Sequence, residues 1–529
     1  MPAIDVAQAF YDVLRARGVT RIFGNPGSNE LTMLKHLPDD IEYVLALQEG
    51  AAIAMADGFA QASGTLGVVN LHSSSGTGNA MGNLTNSAAA HVPLLVIAGQ
   101  QSRRYVPLNA MLTNVDATRL ADPLVKWATE PLRPDDVPLA VSQAALLAQS
   151  APTGPVLVSV PLDDWARPMD AAEAAPLSTR RVAGAPVVAD AAVDEIAAAL
   201  DGARSPVLVL GPGVDTEAGW AATRALSERA GLPVWVAPSP SRAPFPTRHP
   251  HFRGILPTGL GAVAETLAAH DLVLTLGAAV FRYHQFVEGA PLAAGARLIG
   301  VTSDPAEAAR AAMGELAVGD PVDAAARVSA RVGRRASAPG EALVFDPAPP
   351  ESNGAHSAPA ILDAVDRAKP DDAVVVLEWT SADALWARLT FERAQSYYFP
   401  ANGGLGWGLP AAVGVQLADR ERPVIALIGD GAMQYTPSAL WTAARYGIPV
   451  TFVICQNQEY GALQRFSRFM DVPDGGYLDL PGLDPVALAR GYGIDSRRVD
   501  GLDDLEEVVR QAASATGPRL VVVTQQSQR

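Results

Sequence analysis

Cysteine is nearly absent from the sequence, since Cys455 is the single one among 529 residues. One cysteine excludes intramolecular disulfides and cysteine-rich metal sites. No run of about 18 uninterrupted apolar residues occurs, so no membrane span is predicted. The first residues, MPAIDVAQAF, lack a basic region followed by an apolar core, so no signal peptide is expected. These absences predict a soluble, cytoplasmic protein.

Positive charge is also scarce, because 40 Lys and Arg residues stand against 56 Asp and Glu residues, for a net charge of −16. This balance argues against nucleic acid or an anionic membrane as a partner. The sequence is nevertheless 49% apolar and can bury large cores. A chain of 529 residues is too long for one core, and we expect about three domains.

Short apolar segments alternate with helical patterns along the whole chain. This rhythm is typical of βαβ units and predicts an α/β fold with three doubly wound parallel-sheet domains. Two stretches rich in Pro and Ala, residues 163–190 and 333–356, are expected to be linkers. The predicted domains are residues 1–180, 181–340 and 341–529. Strands are predicted at residues 21–23, 67–71, 94–98, 155–160, 272–276, 373–377, 424–428, 450–455 and 519–524.

Two polar residues follow consecutive predicted strands in the third domain. Asp430 lies between Gly429 and Gly431 after one strand, and Asn457 follows the next. Ligands collect at the carboxyl ends of parallel strands, and carboxylate and carboxamide oxygens suit a magnesium ion shared with phosphates. The two glycines allow the backbone to approach a phosphate closely. The stretch therefore predicts a metal-bridged diphosphate anchor, although Asp-Gly and Asn are also common in ordinary turns.

Four further polar residues occupy positions where chemistry is expected. Ser28 lies in a loop after a strand, while Glu49 and His72 are each expected at a strand end. His284 follows an apolar segment of the middle domain, and histidines are the natural proton carriers near neutral pH. Structural roles remain open: Ser28 as the cap of the helix at Leu31, Glu49 in a first helical turn, and either histidine as a packing residue.

Several longer motifs of the sequence resemble those of a known enzyme family. The chain is similar, from end to end, to the thiamine-diphosphate-dependent 2-oxo acid decarboxylases, and most closely to the benzoylformate decarboxylases. The motifs that carry the resemblance include FGNPGSNEL (23–31), LALQEG (45–50), NLHSSSGTGNAMG (70–82), VFRYHQ (280–285) and YYFPANGGLG (397–406). The resemblance implies pyrimidine-binding, middle and diphosphate-binding domains, in that order.

The same resemblance implies thiamine diphosphate and Mg²⁺ as cofactors, with Ca²⁺ or Mn²⁺ as substitutes for the metal. Glu49 would hydrogen-bond the aminopyrimidine ring, and Gly403 would offer it a backbone carbonyl. The metal would be held by Asp430, Asn457 and the main-chain carbonyl of Glu459. The implied cofactor-binding residues are Glu49, Thr380, Ser381, Gly403, Leu405, Gly429, Asp430, Gly431, Ala432, Asn457, Tyr460, Gly461 and Ala462.

For the reaction, the resemblance implies decarboxylation of an aromatic 2-oxo acid to an aldehyde and CO₂, with carboligation as a side activity. Ser28 would bind the substrate carboxylate, and His72 and His284 would transfer protons. The implied substrate pocket is Ser28, Leu112, Phe399, Leu463 and Phe466. The active site would be shared between two subunits, so a dimer at minimum and a homotetramer as the full assembly are implied.

Two other functions are compatible with parts of the sequence. An acetolactate-synthase-like carboligase uses the same cofactor, but the joint presence of Ser28, His72 and His284 speaks against it. A dinucleotide-dependent oxidoreductase would use Gly211-Pro212-Gly213 of the middle domain. This turn lacks the third glycine and the acidic partner of the nucleotide fingerprint, so that function is disfavoured.

The sequence also departs from the family pattern at a few positions. Gln456 replaces the first asparagine of a usual Asn-Asn pair, and Glu459 adds a carboxylate near the expected metal. Leu377 and Trp379 flank Glu378 where smaller or polar residues are expected. Arg119 and Asp122 change a region that holds a second, interfacial cation in the benzoylformate decarboxylase that the chain resembles. That second cation is therefore not predicted here.

Overall fold

Three six-stranded parallel sheets form the framework of the chain, one in each of three consecutive regions. The computed structural model describes residues 3–284, 288–335, 343–473 and 475–527. The central strands are runs of Val, Ile and Leu that are buried along their whole length, as Leu94–Gln100 is. Such strands need helices on both faces, which the alternating chain supplies. The predicted three-domain α/β fold is confirmed.

The first sheet has the strand order β3-β2-β4-β5-β7-β6. Its elements are β1 (Ala3–Asp5), α1 (Val6–Ala16), β2 (Arg21–Asn25), α2 (Leu31–Leu34), β3 (Glu42–Leu45), α3 (Glu49–Ser63), β4 (Gly67–Leu71), α4 (Ser73–Ala89), β5 (Leu94–Gln100), β6 (Ala128–Thr129), α5 (Val137–Gln149), β7 (Val156–Pro161), β8 (Pro168–Asp170) and α6 (Ala171–Thr179). Strand order reverses beside β2 and β4, which places their carboxyl ends at a position suited to a functional site.

The second sheet has the order β11-β10-β9-β12-β13-β14. Its elements are α7 (Asp190–Gly202), β9 (Pro206–Leu210), α8 (Glu217–Ala230), β10 (Val234–Val236), β11 (Phe252–Ile255), α9 (Leu260–Thr266), β12 (Leu272–Leu276), β13 (Arg297–Thr302), α10 (Pro305–Arg310), β14 (Glu315–Val318) and α11 (Pro321–Arg331). Here the order reverses between β9 and β12, and the glycine turn at residues 211–213 follows β9.

The third sheet has the order β16-β15-β17-β18-β20-β19. Its elements are α12 (Ala358–Ala368), β15 (Val374–Glu378), β16 (Tyr397–Tyr398), α13 (Gly408–Ala418), β17 (Val424–Gly429), α14 (Asp430–Met433), α15 (Ala439–Arg445), β18 (Thr451–Gln456), α16 (Gly461–Phe469), α17 (Pro485–Gly491), β19 (Asp495–Arg498), α18 (Leu502–Arg510) and β20 (Arg519–Thr524). The predicted strands at 424–428 and 450–455 are confirmed as the adjacent strands β17 and β18.

Two local predictions are wrong. Residues 163–190 are not all linker, because β8 pairs antiparallel with β1 and α6 packs against α1. The Pro- and Ala-rich composition concealed a strand whose partners lie at the other end of the domain. Glu49 does not end a strand either, since β3 stops at Leu45 and Glu49 is the first residue of α3.

The first and third domains are joined by the close packing of α3 on α13. Gly58 lies against the backbone of Ala411, and Gly414 lies against the backbone of Met55. A β-carbon at either glycine would overlap the carbonyl of the facing helix. Glycine is therefore required at both positions for the two helices to approach this closely.

A buried ion pair connects all three domains. Arg242 Nε donates to Asp215 Oδ2 at 2.8 Å, and their side chains are 11% and 0% exposed. Arg242 also donates to Gln61 Oε1 of the first domain at 3.0 Å. Its guanidinium lies 4.4 Å from the ring of Tyr398 in the third domain, and the N–H of Gln395 donates to Asp215. The buried pair thus has partners in the first and third domains as well, and a buried charge requires such compensation.

Candidate active site

A cavity of about 1180 Å³ lies between the middle and third domains. Its wall includes the sequence-predicted cofactor residues Thr380, Ser381, Gly403, Leu405, Gly429, Asp430, Gly431, Ala432, Asn457, Tyr460, Gly461 and Ala462. It also includes Glu459, the predicted proton carrier His284, and the predicted substrate residues Phe399, Leu463 and Phe466. The residues predicted in the third domain therefore line one cavity.

The oxygen donors at the ends of β17 and β18 lie side by side in this cavity. Asp430 is 1% exposed, and its carboxylate accepts hydrogen bonds from the N–H groups of Gly431 at 3.0 Å and Gln458 at 2.8 Å. Burial raises the pKa of Asp430 to about 6, against the opposing effect of these backbone donors. Asn457 Oδ1 accepts from the N–H of Glu459 at 3.2 Å. This donor set fits a hard cation that also binds phosphate oxygens.

Two glycines flank Asp430 on the wall of the cavity. A β-carbon at Gly431 would lie 2.9 Å from the ring of Tyr460, which is closer than real side chains allow. A β-carbon at Gly429 would make only ordinary contacts, with Trp379 nearest at 3.7 Å. Glycine at 431 is therefore required by packing, and the strand end stays accessible to an anion.

The departures at residues 456 and 459 leave the donor geometry intact. Gln456 turns away from the cavity, because its side chain donates to the carbonyl of Leu483 at 2.9 Å and accepts from Arg498 at 2.6 Å. The carboxylate of Glu459 accepts from Ser527 at 2.9 Å. Asn457 and Glu459 therefore both remain on the wall of the cavity.

Glu378 is a functional candidate whose role the sequence did not reveal. It ends β15, is 1% exposed and lines the cavity. Its carboxylate accepts hydrogen bonds from three successive N–H groups, those of Gly406 at 2.6 Å, Trp407 at 3.1 Å and Gly408 at 2.8 Å. Burial raises the pKa of Glu378 to about 7, although these donors favour the charged form. Glu378 thereby holds the start of α13 and the loop that precedes it.

The loop at residues 402–406 is fixed from a second side by the first domain. Asn86 of α4 accepts from the N–H groups of Asn402 at 3.0 Å and Gly404 at 3.2 Å, and it donates to the carbonyl of Gly404 at 2.9 Å. Gly403 has φ +70°, a left-handed conformation that favours glycine. Asn86 can hold this loop only because the fold brings α4 beside it. No local sequence signal therefore identifies Asn86.

His284 stands on the middle-domain side of the cavity. Its ring lies edge-on to Phe466, with 4.7 Å between the ring centroids. The preceding Arg282 donates to the carbonyl of Ala401 at 2.8 Å and to Asn402 Oδ1 at 3.2 Å. These bonds tie the histidine segment to the loop that carries Gly403. An imidazole beside an aromatic wall is well placed to exchange a proton with an apolar substrate.

The other predicted catalytic residues form a separate group in the first domain. Glu49 is 7% exposed, and its two carboxylate oxygens accept from Asn25 and Asn79, each at 3.1 Å. A β-carbon at Gly76 would lie 3.2 Å from Glu49 Cγ and 3.4 Å from His72 Cβ. Glu49 and His72 therefore flank one point, at the start of α3 and α4.

A buried carboxyl orients His72. Glu30 Oε2 lies 2.8 Å from His72 Nδ1, and it also accepts from the N–H of Gly27 at 2.7 Å. Burial raises the pKa of Glu30, with the bond to His72 opposing that shift. Ser28, next to Gly27, is exposed and does not cap α2, whose first turn follows Glu30. No sequence pattern separately identified Glu30 as a candidate.

The cavity wall does not include Glu49, Ser28, His72 or Leu112 among the residues that the structure describes. In a single chain the predicted site is thus divided between two places. One holds oxygen donors, an apolar wall and His284. The other holds a carboxylate, His72 and Ser28.

The middle-domain turn that resembled a nucleotide site is closed. The N–H of Gly213 donates to the carbonyl of Gly277 at 3.0 Å, and a β-carbon at Gly211 would overlap Gly277 and Ala278. The turns after β9 and β12 therefore fill the crevice in which a dinucleotide would bind at the reversal of strand order. The oxidoreductase hypothesis loses its binding site.

Known proteins match the chain throughout its length. Three family models match it: the thiamine pyrophosphate enzyme N-terminal domain at residues 4–120, the central domain at 193–328 and the C-terminal domain at 381–523. Benzoylformate decarboxylase of Pseudomonas aeruginosa is 48% identical over 523 residues, which cover 99% of both chains. An acetolactate synthase large subunit of Parasynechococcus marenigrum is more distant, at 28% identity over 98% of this chain and 87% of its own.

A solved structure agrees with the fold as a whole. The thiamine diphosphate-dependent 4-hydroxybenzoylformate decarboxylase of Rhodococcus jostii RHA1 has a TM-score of 0.96 and 46% identity, covering 99% of this chain and 100% of its own. No helix in the described part of the chain has the length and apolar character that crossing a membrane requires. The chain therefore belongs to the thiamine-diphosphate-dependent 2-oxo acid decarboxylases, a family of carboxy-lyases.

Proposed function

We propose that this enzyme decarboxylates an aromatic 2-oxo acid of the benzoylformate type to an aldehyde and CO₂, with carboligation as a side activity. The observation that carries the proposal is the cavity that combines oxygen donors with the apolar side chains of Phe399, Leu463 and Phe466. The names of the P. aeruginosa and R. jostii relatives support the same substrate class. The distance to acetolactate synthase makes the carboligase alternative the weaker one.

Thiamine diphosphate supplies the electron-accepting ring that decarboxylation of a 2-oxo acid needs. The residues present fit its diphosphate end, because Asp430 and Asn457 offer oxygens and Gly431 keeps the backbone close. We propose Mg²⁺ as the metal held by Asp430, Asn457 and the carbonyl of Glu459, with Ca²⁺ or Mn²⁺ able to replace it. Glu378 and Asn86 would keep Gly403 and Leu405 in place against the cofactor ring.

The catalytic roles follow from the two groups of residues. Ser28 would donate a hydrogen bond to the substrate carboxylate, because it is exposed and follows Gly27, whose backbone lies against the His72 ring. Glu49, oriented by two asparagines, would hold a proton at the cofactor ring. His72, fixed by Glu30, and His284 would carry protons to and from the substrate, which general acid–base chemistry at near-neutral pH requires.

We further propose that the two groups meet between subunits. Glu49, His72 and Ser28 of one copy would complete the cavity of a second copy, because one chain separates them from that cavity. This arrangement needs a dimer at minimum, and we propose a homotetramer. The proposed domain limits are residues 1–180, 181–340 and 341–529, supported by the ends of α6 at Thr179 and α11 at Arg331. The cytoplasmic location remains a prediction.

The substrate class can be tested with purified enzyme, added thiamine diphosphate and Mg²⁺. We expect CO₂ release from benzoylformate and 4-hydroxybenzoylformate, and far slower release from pyruvate, because small substrates leave the apolar wall unfilled. CO₂ release and aldehyde formation are measured across a panel of 2-oxo acids. Acetolactate from pyruvate as the main product would contradict the proposal and favour the carboligase.

Glu49→Gln should lower kcat by at least about 100-fold, because an amide cannot exchange the proton that the carboxyl holds. Binding of thiamine diphosphate, measured by calorimetry, should remain detectable, since the amide keeps the shape of the side chain. Glu42→Gln, at an exposed position on β3, is the matched control and should leave kcat unchanged. Full activity of Glu49→Gln would refute the role of Glu49.

Asp430→Ala should abolish Mg²⁺-dependent retention of thiamine diphosphate, because the variant loses the buried carboxylate that would bind the metal. Retention is measured as cofactor per chain after gel filtration in Mg²⁺. Glu421→Ala, exposed in the same domain, is the control and should retain cofactor as the wild type does. Retention by Asp430→Ala equal to that of the wild type would contradict the proposed anchor.

The same two variants also test the shared site. Refolded or co-expressed mixtures of Glu49→Gln and Asp430→Ala subunits should regain part of the wild-type activity. A hybrid pair contains one site built from two unaltered halves. A mixture no more active than its components, with hybrids verified by mass spectrometry, would place both halves in one chain.

Glu378→Gln should remove a pH dependence of stability. The pKa of Glu378 is raised to about 7 in the folded state from 4.5, so the stabilisation is complete below pH 4.5 and is lost as the pH rises through 7. This loss amounts to about 3 kcal/mol for a shift of this size. The difference in urea unfolding free energy between wild type and variant should therefore change with pH over this range. A constant difference would show that Glu378 does not titrate as described.

A further inference from the structure

One wall of the main cavity is formed by α16, which carries two of the predicted substrate residues. Leu463 and Phe466 lie three positions apart, and therefore on the same side of the helix, and both line the cavity. Of the nine residues of α16, Gly461 and Gln464 are the buried ones, and Leu463 is 47% exposed in the single chain. A short helix is normally fixed by the packing of a buried face. The position of α16 therefore depends on other contacts.

The start of α16 is held by the backbone. The N–H of Tyr460 donates to the carbonyl of Leu478 at 2.8 Å. The N–H of Leu480 donates to the carbonyl of Gln458 at 2.7 Å. Both bonds lie before the first turn of the helix, so the part that carries the two substrate residues is left to be fixed by side chains.

Arg465 supplies such an attachment. Its Nη1 donates to the carbonyl of Ser381 at 2.9 Å, and its Nη2 donates to the carbonyl of Thr380 at 2.9 Å. Thr380 and Ser381 follow β15 and line the same cavity. A guanidinium presents its N–H groups in a rigid, planar fork, so two bonds to neighbouring carbonyls define both distance and orientation. Arg465 therefore joins two parts of the cavity wall that lie 84 positions apart in the chain.

The buried polar neighbour of Arg465 does not provide an equivalent attachment through its amide nitrogen. Gln464 is 5% exposed, and its Nε2 has no hydrogen-bond partner in the described part of the chain. The fork of Arg465 thus makes two bonds at a position where the adjacent buried donor makes none.

The residue after Arg465 contacts the predicted proton carrier. The ring of Phe466 lies edge-on to His284, with 4.7 Å between the centroids. His284 has an attachment of its own, because Arg282 of the same segment donates to Asn402 Oδ1 at 3.2 Å. A shift of α16 would therefore move the apolar wall while the histidine segment stays in place. Such a shift should weaken the binding of an aryl group more than it slows proton transfer.

A guanidinium in the cavity wall could instead receive the carboxylate of the substrate. Both Nη atoms of Arg465, however, donate to main-chain carbonyls, which holds the fork against the protein. A carboxylate receptor would act on every 2-oxo acid alike, whatever its side group. An attachment of the wall matters only for a substrate that is large enough to reach the wall. The two roles therefore predict different effects on pyruvate and on aryl 2-oxo acids.

We propose that Arg465 is a specificity-determining positioning residue, which holds α16 against Thr380 and Ser381 and thereby fits the pocket to a single aryl ring. It acts through Leu463 and Phe466, the apolar side chains of the same helix. The choice of substrates rests on the proposed function, whereas the attachment of α16 rests on the two hydrogen bonds alone.

The test measures kcat and KM for benzoylformate, 2-naphthylglyoxylate and pyruvate, with thiamine diphosphate and Mg²⁺ in excess. Arg465→Met keeps the length of the side chain and removes its donors. It should raise KM for benzoylformate about tenfold and change kcat less than about threefold, because wall contacts are made in the ground state and the transition state alike. The larger naphthyl substrate should lose nothing, so the preference for benzoylformate falls about tenfold. The value of kcat/KM for pyruvate should not change.

Two further variants serve as matched comparisons. Arg465→Lys retains the charge but not the planar fork, and it should lie between the wild type and Arg465→Met in KM for benzoylformate. Arg468→Met changes an exposed arginine of the same helix and should match the wild type with all three substrates.

Backbone hydrogen exchange gives a readout that needs no substrate. In the holoenzyme, Arg465→Met should speed the exchange of amides in α16 about tenfold and leave exchange in α18 unchanged, because only α16 loses an attachment. An enzyme that releases no CO₂ from any aryl 2-oxo acid would end the proposed function. The exchange rates would still decide whether Arg465 holds α16.

Three results would overturn the proposal. Unchanged exchange in α16 would show that the two bonds do not hold the helix. An equal rise of KM for pyruvate and benzoylformate would make Arg465 a carboxylate receptor. A fall in kcat with KM unchanged would indicate a general loss of active enzyme. If Arg465→Met does not fold, Arg465→Lys decides among the same outcomes, because it retains the charge and the bulk of the side chain.

Discussion

The buried pair of Asp215 and Arg242 is the one interaction described above in which residues of all three domains meet. Its side chains are almost inaccessible, and its further partners belong to the first and third domains. Removing one partner would leave an uncompensated charge, which costs about 3–5 kcal/mol in buried pairs. The main cavity lies between the middle and third domains, which this junction also joins. A site assembled from separate domains needs such fixed contacts more than a site within one sheet.

The sequence predicts well those features that depend on a single strand or turn. Asp430 and Asn457 follow apolar strands, and parallel strands carry such residues to a common edge. The fold class and the convergence of the third-domain residues on one cavity could both be obtained from this rule. Glu49 shows the limit of this rule. Its carboxylate made it a candidate, but it was predicted at a strand end and is the first residue of α3. A glutamate after three non-periodic residues is equally compatible with a strand end and a helix start.

What the sequence could not supply are contacts made across long separations. Glu378 accepts from residues about thirty positions away, and Asn86 fixes a loop more than three hundred positions away. Neither belongs to a local motif, so only the packed fold shows what they hold. The strand β8 was missed for the same reason, since it pairs with β1 at the opposite end of the domain. Local composition carries no information about such pairings.

Buried carboxylates in this protein differ in the groups that balance their charge. Asp215 has a guanidinium, and Glu378 has three backbone N–H groups at the start of a helix. Asp430 has two backbone N–H donors and, among the described residues, no hydrogen-bonded cation. A carboxylate withdrawn from water without a fixed counter-charge is stabilised either by a proton or by a bound cation. Asp430 also lines the main cavity together with Asn457, so a metal ion that enters there can supply the missing counter-charge.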